Sequence, residues 1–152
     1  SNLDRREMEL TCLNAVKDTN DLRRTSLNEV VAIRRYLTEN AGRLGSYVIL
    51  TPYRKQLDLL GKYMPEERKD MNILTVHKSQ GREWDTVILS VVDTRDMWFS
   101  DSKNRISRRL NVLNTAISRA KKRIVIACDR SYWIAQRGQL LSEIVRTCNC
   151  NK

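Results

Sequence analysis

The sequence predicts an α/β fold, a mostly parallel sheet with helices on both faces, and two observations carry that expectation. Runs of β-branched and aliphatic residues alternate along the chain with segments whose apolar residues recur at helical spacing. Strands that alternate with helices are joined by crossovers, and crossovers place helices over both faces of a parallel sheet. With 152 residues the chain can enclose one core of its own, so residues 1–152 read as a single domain.

Taken in order, Glu9 to Val16 is the first strand and Lys17 to Thr25 a polar connector. Ser26 and Glu29 form a capping box that opens a helix through Leu27, Val30, Ile33 and Leu37, ending near Asn40 to Gly42. Tyr47 to Leu50 is a short buried strand, and Pro52 stands at the start of a helix from Tyr53 to Tyr63, which Pro65 ends. Ile73 to Val76 and Thr86 to Val92 are runs of β-formers flanking a polar loop whose only glycine is Gly81. Residues 93–107 are polar apart from two exposed-looking aromatics, Trp98 and Phe99, and read as an insertion or mobile loop. Arg108 to Ala120 is a helix and Arg123 to Cys128 a strand. Asp129, Arg130 and Ser131 supply capping residues for a helix at Tyr132, and Gln139 to Thr147 is the last helix.

Two segments carry candidate chemistry. Leu110, Leu113, Ile117 and Ala120 recur at spacings of three, four and three, a stripe that faces a core, while Arg108, Thr115 and Arg119 fall on the opposite side. Such a polar face either meets solvent or addresses a ligand. The loop between Val76 and Thr86 lies between two buried strands, which puts its groups at a sheet edge, where α/β proteins bind ligands.

Charge narrows the class of partner. The chain has 28 Lys and Arg against 18 Asp and Glu, and residues 105–123 hold seven basic side chains and no acid. An excess of that kind favours a polyanion, because neutralised phosphates release their counterions, and nucleic acid is the leading partner. No apolar run is long enough to span a bilayer, no secretory signal pattern opens the sequence, and a cytoplasmic location without a membrane partner is expected. Cys148 and Cys150 have no second close pair to complete a tetrahedral site, so no metal is expected. The sequence contains no G-x-x-x-x-G-K-[ST] run and no acidic pair following a strand for the Walker B role.

Three stretches resemble motifs of superfamily-1 helicases, in the branch of the up-frameshift RNA-surveillance helicases and the replication nuclease-helicases. Ser79-Gln-Gly-Arg-Glu-Trp-Asp-Thr-Val-Ile88 is similar to the family's motif V, "S-x-Q-G-x-E-x-D-x-V-I". Asn114-Thr-Ala-Ile-Ser-Arg-Ala-Lys121 is similar to the end of motif VI, "R-L-N-V-A-x-[ST]-R-A-K", although a second Asn-anchored register at Asn111 leaves Arg108, Arg109 and Asn111 without transferred roles. Tyr47-Val-Ile-Leu-Thr-Pro-Tyr-Arg-Lys-Gln56 resembles the family's strand followed by "[ST]-P-Y-x-x-Q", and Ser26-Leu-Asn-Glu29 echoes its "S-x-N-x-x-E".

The resemblance implies a RecA-like domain of the P-loop NTPase type that lacks its own Walker A motif: the second motor domain of a larger ATP-dependent DNA or RNA helicase or translocase. By the same resemblance Arg119 is the catalytic arginine finger, and Gly81, Glu83 and Gln56 join it around the nucleotide. Thr75, Ser79 and Gln80 would touch single-stranded nucleic acid, with His77 close by. ATP with Mg would be bound mainly by the first RecA-like domain of the same polypeptide, and residues 1–152 alone would be inactive. The alternative reading is a non-catalytic nucleic-acid-binding or regulatory module with a degenerate helicase fold.

Overall fold

The computed structural model describes residues 8–92, 106–136 and 138–151. Its centre is one sheet of six parallel strands in the order β3-β2-β4-β5-β1-β6. The strands are β1 (Glu9–Asn14), β2 (Tyr47–Thr51), β3 (Ile73–Thr75), β4 (Trp84–Ser90), β5 (Ala120–Cys128) and β6 (Asn149–Asn151). The helices are α1 (Leu27–Glu39), α2 (Arg54–Tyr63), α3 (Pro65–Lys69), α4 (Ile106–Ser118), α5 (Arg130–Ala135) and α6 (Leu140–Thr147).

Side chains alternate between the faces along each strand, and both faces are apolar. Ile49, Ile88 and Val125 pack on one side against Val30 and Ile33 of α1 and Leu57 and Leu60 of α2. Val48, Leu89, Ile124 and Ile126 pack on the other against Leu113 and Ile117 of α4, Trp133 of α5 and Leu141 and Val145 of α6. The stripe expected on the motif VI helix is buried at Leu113, Ile117 and Ala120, widened by Val112 and Ala116. The side chains of Arg108, Arg109, Leu110 and Asn111 lie outside those described, as do residues 93–105 with Trp98 and Phe99.

Several boundaries depart from the sequence reading. Pro65 does not merely end a helix: it stands at the first position of α3, where its fixed φ suits a helix start and its missing N–H has no intrahelical partner to lose. The motif VI helix starts at Ile106, two residues earlier than expected, and stops at Ser118, so Ala120 begins β5 rather than ending the helix. Ser26 caps α1 by accepting from the Glu29 N–H at 3.3 Å, but the reciprocal half of the capping box does not form, because the Glu29 carboxylate turns inward.

A strand that is apolar on both faces does not fix its register by hydrophobicity alone, since a one-residue slip exchanges one greasy face for another. Polar latches at the edge where the strands begin do so instead. Asp85 accepts from the Ser46 N–H at 3.3 Å while its own N–H donates to Ser46 Oγ at 2.8 Å. Thr86 Oγ1 donates to Leu44 O at 2.8 Å, and Arg123 donates to Thr86 Oγ1 at 3.1 Å and to Glu9 at 2.9 Å.

Gly45 makes the first latch feasible: its φ is +65°, and a Cβ there would stand 2.2 Å from Asp85 Oδ2. Gly45→Ala should therefore lower stability by about 1–3 kcal/mol through strain and loss of the latch. Gly42→Ala, at φ +82° with open space around it, carries only the backbone strain and should cost less. Thermal melts of the two variants side by side check this, and equal losses would remove the latch from the account.

Candidate functional site

Because every strand runs the same way, the sheet has an edge where strands open and an edge where they close. Along β4, from Trp84 to Ser90, the two are about 20 Å apart at the usual rise per residue.

At the opening edge, Arg119 forms the junction of α4 and β5. Its N–H donates to Ala116 O at 3.2 Å and its carbonyl accepts from the Trp84 N–H at 2.8 Å. That second bond ties the motif VI junction to the start of β4, immediately after Gly81, Arg82 and Glu83. Arg82 lays its guanidinium over the Trp84 ring, 4.7 Å from the centroid, so the pair seals the edge with a cation–π contact. Gly81 adopts φ +76° with nothing within 4 Å of where a side chain would start, which leaves its backbone open to an incoming group. Glu83 is exposed, and Arg119 is half-buried, its Nε fully enclosed with no hydrogen-bond partner among the described residues.

Three of the residues expected around a nucleotide, Gly81, Glu83 and Arg119, thus share one edge, and it is the edge where β4 and β5 begin. The sequence reading puts the polar loop at a sheet edge without distinguishing the two. The chain leaves β3 at Thr75, where strands close, and because β4 runs parallel to it the connection must return through the 3-10 turn at His77–Ser79 to the end where strands begin, so Gly81 to Glu83, just before β4, lie there.

Gln56 lies elsewhere. It sits in the first turn of α2 at the closing edge, fully buried, with Oε1 accepting from the Ser26 N–H at 2.9 Å. Its Nε2 donates to Ser26 O and to Ser90 Oγ, both at 3.1 Å. Ser90 Oγ in turn donates to Glu29 at 2.6 Å, and the Val92 N–H donates to the same carboxylate at 2.8 and 3.1 Å. Val92 holds φ +65°, a left-handed conformation that a β-branched residue adopts at a cost of about 1–3 kcal/mol. Burial drives the Glu29 carboxyl up to about 8, against the Ser90 and Val92 hydrogen bonds and Lys17, which pull it down, and alongside Asp129, which adds to the rise. Only the "S-x-N-x-x-E" echo pointed to Glu29, and spacing alone read it as a cap.

The remaining expected residues follow β3 out of the closing edge. Thr75 is the register partner of Thr51, and the Val76 N–H donates to Thr51 O at 3.1 Å. Ser79 is buried and its hydroxyl donates to Val76 O, while Gln80, His77 and Lys78 are exposed. Among the described residues no group of three or more His, Cys, Asp or Glu is placed to hold a metal ion, and no helix is long and apolar enough to cross a membrane.

Residues 10–131 match the AAA domain family. An uncharacterized ATP-dependent helicase of Methanocaldococcus jannaschii is 32% identical over 98 residues, 64% of this chain and 13% of that protein. The DNA-binding protein SMUBP-2 of Rattus norvegicus is 30% identical over 98 residues, covering 61% of this chain and 9% of the relative. The DNA polymerase alpha-associated DNA helicase A of Schizosaccharomyces pombe is 32% identical over 84 residues, 53% of this chain and 12% of its own length. The aligned stretch is thus a small part of each relative. Among solved structures, the C-terminal domain of a possible DNA helicase from Lactobacillus plantarum WCFS1 superimposes with a TM-score of 0.53 at 13% identity, over 96% of this chain and 86% of that one, a likeness of fold.

The buried carboxyl gives a pH test of the closing-edge network. Glu29 titrates at about 8 in the folded chain against an ordinary value of 4.5. Between those values the native state keeps a proton that the unfolded chain has released, so stability falls as pH rises through the window, by up to about 1.4 kcal/mol per pH unit. Urea unfolding at a series of pH values inside it should show that slope, and Glu29→Gln should flatten it while keeping an acceptor for Val92. An unchanged slope in the variant would assign it to other groups.

Proposed function

The chain belongs to the AAA-domain family of superfamily-1 helicase type, with a RecA-like α/β fold, and on that premise we propose that it is the second motor domain of an ATP-dependent helicase or translocase. The observation that carries the reading is the opening edge: a half-buried Arg119 whose Nε has no hydrogen-bond partner among the described residues, beside the open backbone of Gly81 and the exposed carboxylate of Glu83.

Transfer of a phosphoryl group spreads negative charge over three oxygens, and a planar, permanently charged guanidinium neutralises it with fixed donor geometry. Arg119 fills that role in trans to a phosphate-binding loop on the first RecA-like domain of the polypeptide, which also holds most of the Mg-ATP. Gly81 lets the main chain approach the phosphates, and Glu83 accepts from a ribose hydroxyl or orders a water. Gln56, enclosed in its network at the closing edge, stands away from these groups and serves to fix Ser26 against Ser90 rather than to meet the nucleotide. Thr75 and the exposed Gln80, on the path from the closing edge of β3, meet the backbone of single-stranded nucleic acid without reading its sequence, while the enclosed Ser79 holds the turn between them through its hydroxyl on Val76 O.

This division gives the domain a ligand at each end of its sheet, with β4 as the rigid link. The Trp84–Arg119 backbone bond couples motif V to motif VI directly.

Two measurements test the reading. Residues 1–152 alone should show no nucleic-acid-stimulated ATP turnover, and repurified protein with clear turnover would overturn the half-motor assignment. In the intact protein, Arg119→Ala should lower the hydrolysis rate at least about 10²-fold, roughly 2.7 kcal/mol of transition-state stabilisation, with a much smaller change in nucleotide affinity. Arg119→Lys should rescue poorly, because a point charge does not reproduce the planar fork. Wild-type rates for Arg119→Ala would leave a surface arginine and favour the regulatory module.

A further inference from the structure

The outward side of α1 departs from the polar surface usual for a helix that packs its other side on a sheet. Leu27 and Val31 stand one turn apart on it, 36% and 44% exposed, and Arg34, Arg35 and Thr38 continue the same side through the following turns. Asn28 donates to Val16 O at 2.7 Å, which sets Val16, 56% exposed, beside the start of this stripe. At its other end Tyr63, the last residue of α2 and 37% exposed, shares with Val31 the lining of a groove of about 510 Å³. Arg34, Arg35, Thr38 and Glu39 complete that lining, and none of the six residues falls within the helicase-like segments.

Single exposed apolar residues are ordinary, whereas a contiguous row of them marks a contact surface. Six large apolar side chains are exposed among the described residues, and four of them, Val16, Leu27, Val31 and Tyr63, lie along this one line. The groove is also preformed. Val30 and Ile33 of α1 and Leu57 and Leu60 of α2 are buried in one core layer, and Gln56 clasps both main-chain groups of Ser26, so the two helices stand in fixed relation.

Charge says what fills it. The Arg34 and Arg35 side chains are exposed and form no ion pair among the described residues, and Glu39 is the single carboxylate among the described lining residues. Two guanidiniums without partners call for carboxylates, and the aliphatic row beside them calls for apolar anchors. A groove between two helices receives a third, whose anchors recur at three- and four-residue spacing. We infer that this groove docks an acidic amphipathic helix of a partner protein. The apolar anchors of that helix rest on Val31 and Tyr63, its carboxylates meet Arg34 and Arg35, and Glu39 keeps negative charge away from the end beyond Thr38. A nucleic-acid strand suits the face poorly, because Val16, Leu27 and Val31 offer phosphates nothing and Glu39 repels them. The inference is independent of the proposed motor role.

The test starts from a displayed library of random peptides of about fifteen residues, roughly four turns when helical, selected against the 152-residue chain. Enriched peptides should carry Asp or Glu around aliphatic or aromatic residues spaced three and four apart, and fluorescence anisotropy of one labelled peptide then reads its affinity. Val31→Asp should weaken binding at least about tenfold by placing a charge on the anchor. Val31→Ala, a change a helix accepts without strain, should weaken it less while the chain melts as wild type does. Arg34→Glu with Arg35→Glu should weaken binding at least about tenfold and reduce its salt dependence. Lys121→Glu with Lys122→Glu, the same change of charge at exposed positions at the start of β5, is the control and should have the smaller effect. Equal weakening by the two double variants would reduce the effect to net charge and overturn the site. Selected peptides without an acidic bias, peptides that bind Val31→Asp as tightly as wild type, or a selection that enriches none would overturn it as well. Displacement of the peptide by oligothymidylate at equal charge concentration would reassign the face to nucleic acid. Self-association of the wild-type chain that Val31→Asp abolishes, read by sedimentation, would give the face to a second copy of the chain instead.

Discussion

The buried amide of Gln56 is the constraint on which the arrangement of the closing edge depends. One side chain satisfies both main-chain groups of Ser26, which starts α1, and reaches Ser90, which ends β4. Through Ser90 it joins Glu29 and the turned backbone of Val92. A buried polar group left unpaired costs about 1–3 kcal/mol, so such a network is stabilising only when every member is present together. Three segments distant in sequence are thereby fixed to one another at the point where a hydrophobic core, which has no directionality, leaves their relative positions loose.

The opening edge is held differently, by exposed latches and backbone bonds rather than by an enclosed network. Ser46 with Asp85, Arg123 with Glu9 and Trp84 with Arg119 each join neighbouring strands or the loops that feed them. These bonds are partly solvated and individually modest.

Much of this was legible in the sequence, and the exceptions have identifiable physical causes. The strands from Tyr47 and Thr86 and the helix from Leu27 were readable because β-branched runs and a 3.6-residue period are local signals. The short strand at Asn149–Asn151 was not, since three polar and sulfur-bearing residues become a strand only by pairing with β1. Pro65 was ambiguous because one residue both stops α2 and starts α3. At the site, motif spacing brought Gly81, Glu83 and Arg119 to notice, but that they share a sheet edge depends on β4 and β5 starting side by side as parallel neighbours, and that is a property of the whole sheet. Gln56 and Glu29 were visible as residues, whereas their partners at Ser90 and Val92 are more than thirty positions away and leave no local trace.

The region that matches the AAA family stops at residue 131, yet the packing does not. Trp133, Leu141, Ile144 and Val145 are all nearly or fully enclosed against the face of the sheet that α4 also covers, and β6 adds its strand to the flank of β1. Each such side chain contributes about 1.5–3 kcal/mol by leaving water, a sum comparable to the whole stability of a small domain. The stretch that matches the family is therefore smaller than the unit that packs together, and a chain trimmed to residues 10–131 would present the apolar flank of β1 and β5 to solvent as an adhesive surface.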